Sequence, residues 1–224
     1  MEKSIIELLQ EYNHRSYGGD NIDFVKIWLL ALSYQDKRND EGHVEIATRY
    51  AIEMLQMVYN ADNFTANPLI VLPAITLHDI GWSKMPADKL LIAYNPPSKE
   101  AEYTARLEHQ IYALETAEII LTQVKCPSLA KGKILVIISQ HDTRKGFYGL
   151  NDAIVRDADK LWRYTQRHMD VTCKNKGWTK KSQAQGLLDK LAGQIDDPEF
   201  FMTTVARDLA RRDIQTIKIP DYLE

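Results

Sequence analysis

The chain has 224 residues, of which 45% are hydrophobic and 26% charged, and its formal net charge is −3. That is enough chain for one well-buried core, and so small a net charge gives no broad electrostatic case for a nucleic-acid or anionic-membrane partner. Two cysteines, Cys126 and Cys173, sit far apart in no CxxC arrangement and read as reduced thiols of a cytoplasmic protein.

Taken in chain order, the pattern is helical. The opening segment, MEKSIIELLQEYNHR, is acidic and amphipathic with no signal-type apolar core, and no later run approaches the roughly 18 apolar residues of a membrane span. KSIIELLQEYN and DFVKIWLLALSYQDK carry apolar residues at spacings of three and four, and residues 42–59 continue this with Ala47, Tyr50, Ala51, Met54, Leu55 and Val58 on one face. NPLIVLPAITLHDIG starts at an Asn-Pro signal and stops at Gly81, with Pro73 inside as a kink or a later start. MPADKLLIAYNPPSKEAEY reads as a linker with one short helical turn, broken at Pro96 and Pro97.

A long helix is expected over 98–125. SLAKGKILVIISQHD follows, read as helix because no other strand candidate exists to pair with it. The loop TRKGFYGLN precedes a long helix over 152–174, and two tail helices lie in KSQAQGLLDKLAGQI and DPEFFMTTVARDLARRDIQ. The expectation is an all-α fold in one domain spanning 1–224, with its core at about 20–176 and residues 177–224 as a helical extension.

Six polar groups interrupt these apolar faces. His43 lies one turn before Ala47, and His109 shares a face with Ala105, Tyr112 and Ala113. His141 follows Ile134, Ile137 and Ile138, Asp159 lies between Val155 and Trp162, and His78 and Asp79 end an apolar helix. Any one of them reads as a hydrogen-bonded core residue. Together, from five helices, they would need separate partners for each buried charge, whereas one metal centre would satisfy them all. His14 and His168 fit no such set.

The order His43, then His78-Asp79 in HDIG, then Asp159 in the segment RDADKLW resembles the HD-domain superfamily of metal-dependent phosphohydrolases. The resemblance covers about residues 40–165. It implies a helical bundle with a metal in the centre, held by His43, His78, Asp79 and Asp159. Asp157, whose face is also apolar, is a rival for the last place. His109 and His141 occupy the positions of the additional histidines of two-metal branches, which implies a second ion or a bound phosphate there. The stretch QHDTRKGFYG departs from the cyclic-dinucleotide signature: Gln140 replaces the first His, Asp142 replaces Glu, and the Tyr-Pro end is missing. Trp82 follows HDIG where that branch has Lys, with Lys84 two places later.

The activity implied by the resemblance is hydrolysis of a phosphate ester of a small molecule, a nucleotide by family analogy. Mn, Fe, Ni, Zn or Co would activate water. Asp79 would orient that water, while His109, His141, Lys84, Arg144 and Lys145 are candidates to meet the phosphoryl charge. For the last two a solvated-loop reading stays open. Two alternatives remain. The full order His43, His78, Asp79, His109, His141, Asp159 also resembles diiron oxygenases built on the same fold, and a non-catalytic module could retain a closed metal core. Oligomeric state is not legible.

Overall fold

A computed structural model describes residues 3–15, 21–38, 40–61, 66–94 and 96–224. Among these, secondary structure is helical throughout, with no strand, so the fold is all-α. The helices are α1 (Ile5–Asn13), α2 (Phe24–Ala31), α3 (His43–Ala61), α4 (Pro68–Leu77), α5 (Ala87–Tyr94), α6 (Lys99–Gln123), α7 (Ser128–Ser139), α8 (Leu150–Leu161), α9 (Gln166–Lys176), α10 (Lys181–Gln194) and α11 (Thr204–Ile214). No helix among the described residues is long and apolar enough to cross a membrane. Cys126 and Cys173 are free and buried.

The centre is α4. All ten of its residues are buried, as expected for a helix apolar on every side. Asn67 caps it, its side-chain oxygen accepting the Leu69 N–H at 2.9 Å, and Pro68 occupies the first turn, where its missing N–H is harmless. Pro73 lies inside the helix and does not end it. Around α4 pack α3, α7, α8 and α2, while α6 lies against α7 and against the 3-10 turn Ile80–Lys84.

That last contact depends on Gly81. A Cβ there would stand 1.9 Å from the His109 carbonyl oxygen and 2.5 Å from the Ala113 nitrogen. Only a residue without a side chain lets this turn press against α6.

Three expectations need correction. The linker at 85–103 contains an eight-residue helix, α5, rather than a single turn. The helix expected over 152–174 breaks after Leu161 into a 3-10 turn, Trp162–Tyr164. Thr165, in extended backbone, then caps α9 by accepting the His168 N–H. A Thr hydroxyl competing for backbone donors favours such a cap over helix interior. The helix expected from Asp197 begins at Thr204, after Thr203 as its cap.

The tail contributes to the main apolar cluster: Leu191, Ile195, Phe201, Ala206, Leu209 and Ala210 bury there beside α3, α4 and α8 residues. A smaller cluster joins Met169 and Cys173 of α9 to Ala184, Ile217 and Leu223. The loop after His141 is tied down. The Arg156 guanidinium donates to the carbonyls of His141 (3.0 Å), Arg144 (2.8 Å) and Gly146, and Arg144 pairs with Asp152.

Candidate metal centre

Each helix delivers its polar residue at an end or at a half-buried seam. His43 opens α3, His78 and Asp79 follow the last turn of α4, His109 sits mid-way along α6, His141 and Asp142 follow α7, and Asp159 lies in the last turn of α8. All four histidines are at most 5% exposed. They converge on Asp79, whose two carboxylate oxygens face different partners. Oδ1 lies 3.4 Å from Nε2 of both His109 and His141. Oδ2 lies 3.5 Å from His43 Nδ1 and 3.6 Å from His78 Nε2. Asp159 Oδ1 closes the second side, 2.8 Å from His43 Nε2 and 3.4 Å from His78 Nε2. Asp142 closes the first, its Oδ2 lying 3.7 Å from Nε2 of both His109 and His141.

The donors therefore form two groups able to hold a cation, Asp79–His109–His141–Asp142 and His43–His78–Asp79, the potential ligand atoms of each lying within 4.8 Å of one another.

Three of the Nδ1 atoms have hydrogen-bond partners that orient their rings. His78 Nδ1 donates to the Ile75 carbonyl at 2.7 Å and His141 Nδ1 to the Ile138 carbonyl at 2.9 Å, while His43 Nδ1 faces Asp40 at 3.2 Å. This is the arrangement that turns Nε2 toward a metal. His78 Nε2 is buried and has no hydrogen-bond partner among the described residues. Its neighbours are carboxylate oxygens, so a neutral ring would aim a lone pair at other lone pairs. His109 Nε2 and His141 Nε2 likewise face each other at 3.4 Å, with room for one proton between them. A cation between these atoms removes both conflicts. Imidazole and carboxylate donors suit Zn, Mn, Fe, Ni or Co.

Electrostatics point the same way. Burial disfavours the Asp79 carboxylate, but His78, His109, His141 and Arg38 outweigh it and hold the group well below the usual carboxylate range. Against the same burial, His43 and His78 hold Asp159 well below that range. His141, Arg106 and His109 lower Asp142 against its burial. Burial also opposes protonation of His43, yet its bonds to Asp159 and Asp40 raise it to about 10. His141 rises to about 9 against burial, through Asp142 and Asp79. His109 is lowered, chiefly by burial. Without a metal, protons and arginines neutralise a carboxylate-rich centre.

The two candidates for the last ligand separate cleanly. Asp159 faces the cluster. Asp157 accepts from the N–H groups of Met202 (3.0 Å) and Thr203 (2.8 Å) and from the Thr203 hydroxyl (2.8 Å), so it caps the entry to α11. Lys84 is not brought to the cluster. Its ammonium pairs with Glu115 at 3.9 Å and its side chain is more than a third exposed. Arg144 is turned toward Asp152 and lies over Tyr148, away from any solvated-loop role, while Lys145 is exposed. His14 is exposed, and His168 packs edge-on against Trp162.

Several contributing residues carry no sequence pattern of their own. Arg38 pairs with Asp40 at 3.1 Å and Asp79 at 3.7 Å, and Arg106 pairs with Asp142 at 2.9 Å. Trp162 stacks on His43 with centroids 5.4 Å apart. Trp82 stacks on His109 and donates to Asp79. Asp142 does carry a sequence signal, because His141-Asp142 repeats the His-Asp pairing of His78-Asp79. No known protein family matches this chain, and no curated protein or solved structure does.

Proposed function

We propose that the chain is an HD-type metal-dependent phosphohydrolase acting on a phosphate ester of a small molecule, a nucleotide being the first class to test. The observation that carries this reading is a pair of guanidinium groups at the rim of a shared-carboxylate centre. The side chains of Arg38 and Arg106 are 24% and 30% exposed, while the carboxylates they pair with, Asp79 and Asp142, are 8% and 13% exposed. The cluster thus reaches solvent beside two fixed cations. Guanidinium is the side chain best matched to phosphate oxygens.

A bound divalent ion supplies Lewis-acid charge and lowers the pKa of water toward neutrality. The residues supply the rest. His43, His78, Asp79 and Asp159 would hold one ion, and Asp79, His109, His141 and Asp142 would hold a second. Arg38 and Arg106, at the rim beside Asp79 and Asp142, would be the cations available to the equatorial oxygens of a phosphoryl group. Asp142 and Asp79, kept ionised, orient the water that attacks.

The test is phosphate release from a panel of nucleotides and simple phosphate esters by protein loaded in turn with Mn²⁺, Fe²⁺, Co²⁺, Ni²⁺ or Zn²⁺. Release that disappears in His78→Ala and Asp79→Ala supports the reading. No release with any ion and substrate contradicts it. The six-residue order with Asp79 facing two histidine groups also favours a second reading, a diiron oxygenase. For that reading, two irons per chain and substrate-dependent oxygen uptake without phosphate release are the expected signs.

A further inference from the structure

Of the four clustered imidazoles, three are steered by a hydrogen bond at Nδ1: His43 by Asp40, His78 by Ile75 and His141 by Ile138. His109 is the exception. Its Nδ1 is buried and has no partner among the described residues, although its Nε2 must point at Asp79 Oδ1 for the second group of donors to form. Something other than a hydrogen bond sets that ring's plane.

Trp82 is placed to do so. Its indole lies face to face with the His109 ring, centroids 4.0 Å apart and planes 8° from parallel. The same indole donates Nε1–H to Asp79 Oδ1 at 3.0 Å, the oxygen that His109 and His141 share. The indole is itself immobilised. It is 2% exposed, Arg38 lies over it at 4.9 Å, and Gly81 lets its backbone press onto the α6 turn that carries His109.

We propose that Trp82 is the positioning residue for the second metal position, substituting a stacked ring for the missing hydrogen bond on His109 and fixing the shared oxygen of Asp79. This rests on the two-ion reading of the cluster. The first position, through His43, His78 and Asp159, reaches Trp82 only indirectly, by way of Asp79 and by way of Arg38, which lies over the indole and pairs with the Asp40 behind His43. Loss of the indole therefore weakens one ion selectively. Outer partners of metal ligands commonly contribute on the order of 10- to 100-fold in affinity.

The experiment titrates Mn²⁺ and Co²⁺ into metal-stripped wild type, Trp82→Leu and Trp82→Phe, reading ions bound per chain, with far-UV circular dichroism as the folding check. The expected result is two ions in wild type. Trp82→Leu then keeps the tighter ion and loses the weaker, and Trp82→Phe, which keeps a stacked ring but no donor, binds the weaker ion about 10-fold less tightly. Equal binding of both ions by wild type and both variants overturns the inference, as does equal weakening of both ions. If Trp82→Leu fails to fold, Trp82→Phe decides alone, an unchanged second affinity sinking the proposal. A single ion in wild type overturns it while leaving a one-metal hydrolase standing. No ion at all removes the metal reading itself.

Discussion

In the half of the cluster formed by His43, His78 and Asp159, each imidazole is steered from behind by a hydrogen bond, and Asp159 lies 2.8 Å from His43 and 3.4 Å from His78. In the half formed by His109, His141 and Asp142, one ring has no such bond and the carboxylate stands 3.7 Å from both imidazoles. Asp79 belongs to both. Both imidazoles of the first half are held by hydrogen bonds, whereas in the second half His141 is held so and His109 is held by stacking, which fixes a ring's plane but leaves it free to slide within that plane. On the proposed two-ion reading, unequal affinities are expected, with the tighter ion in the first half.

The largest effects come from the residues the halves do or do not share. Asp79→Ala should abolish binding of both ions. His141→Ala should remove one and His78→Ala the other, so elemental analysis of these three variants should give zero, one and one ion per chain. Equal loss in all three would erase the distinction between the halves.

Gly81→Ala should be nearly as severe for folding, because its Cβ would strike backbone atoms 1.9 Å and 2.5 Å away. We expect destabilisation at or beyond the upper end of the roughly 1–3 kcal/mol typical of overpacking, read by urea denaturation.

A middle-sized effect concerns pH. The imidazoles of His43 and His141, raised to about 10 and about 9, stabilise the metal-free fold below their ordinary value of 6.5, and that contribution is lost as pH rises through the raised values. The lowered carboxylates Asp79, Asp142 and Asp159 stabilise it above their ordinary value of 3.8, and this is lost as pH falls through their depressed values. The metal-free protein should therefore melt highest in the intervening window. Metal must displace the imidazole protons, so apparent affinity should climb steadily from about pH 6 to about pH 9. Affinity independent of pH would contradict the ligand assignment.

The smallest effect sharpens the contrast between two neighbouring aspartates. Asp157→Ala should lose the cap on α11, about 0.5–2 kcal/mol, and leave metal content unchanged. Asp159→Ala should lose the tighter ion.

That pair also shows where sequence reading stops. Periodicity locates α3, α4, α6 and α8, and with them the faces that carry His43, His78-Asp79, His109 and Asp159. Asp157 and Asp159 are about 200° apart around a helix, so they look to opposite sides, yet α8 is buried on nearly every side and both faces read as apolar. Contacts made by folding distinguish them: Asp157 accepts from Thr203, 46 residues away, and Asp159 faces His43. Arg38, Asp40, Arg106 and Trp82 act through contacts made by chain folding, and no local pattern marks them. The break at Thr165 escapes the sequence pattern because the apolar spacing continues through it, while the capping hydroxyl is a competing signal of one residue.

The most direct test is to add Mn²⁺ or Fe²⁺ to metal-stripped wild type and count the ions retained per chain. Two ions, one held more tightly than the other and both lost in Asp79→Ala, are the predicted result. No ion retained from either metal would contradict the reading of this buried cluster as a metal centre.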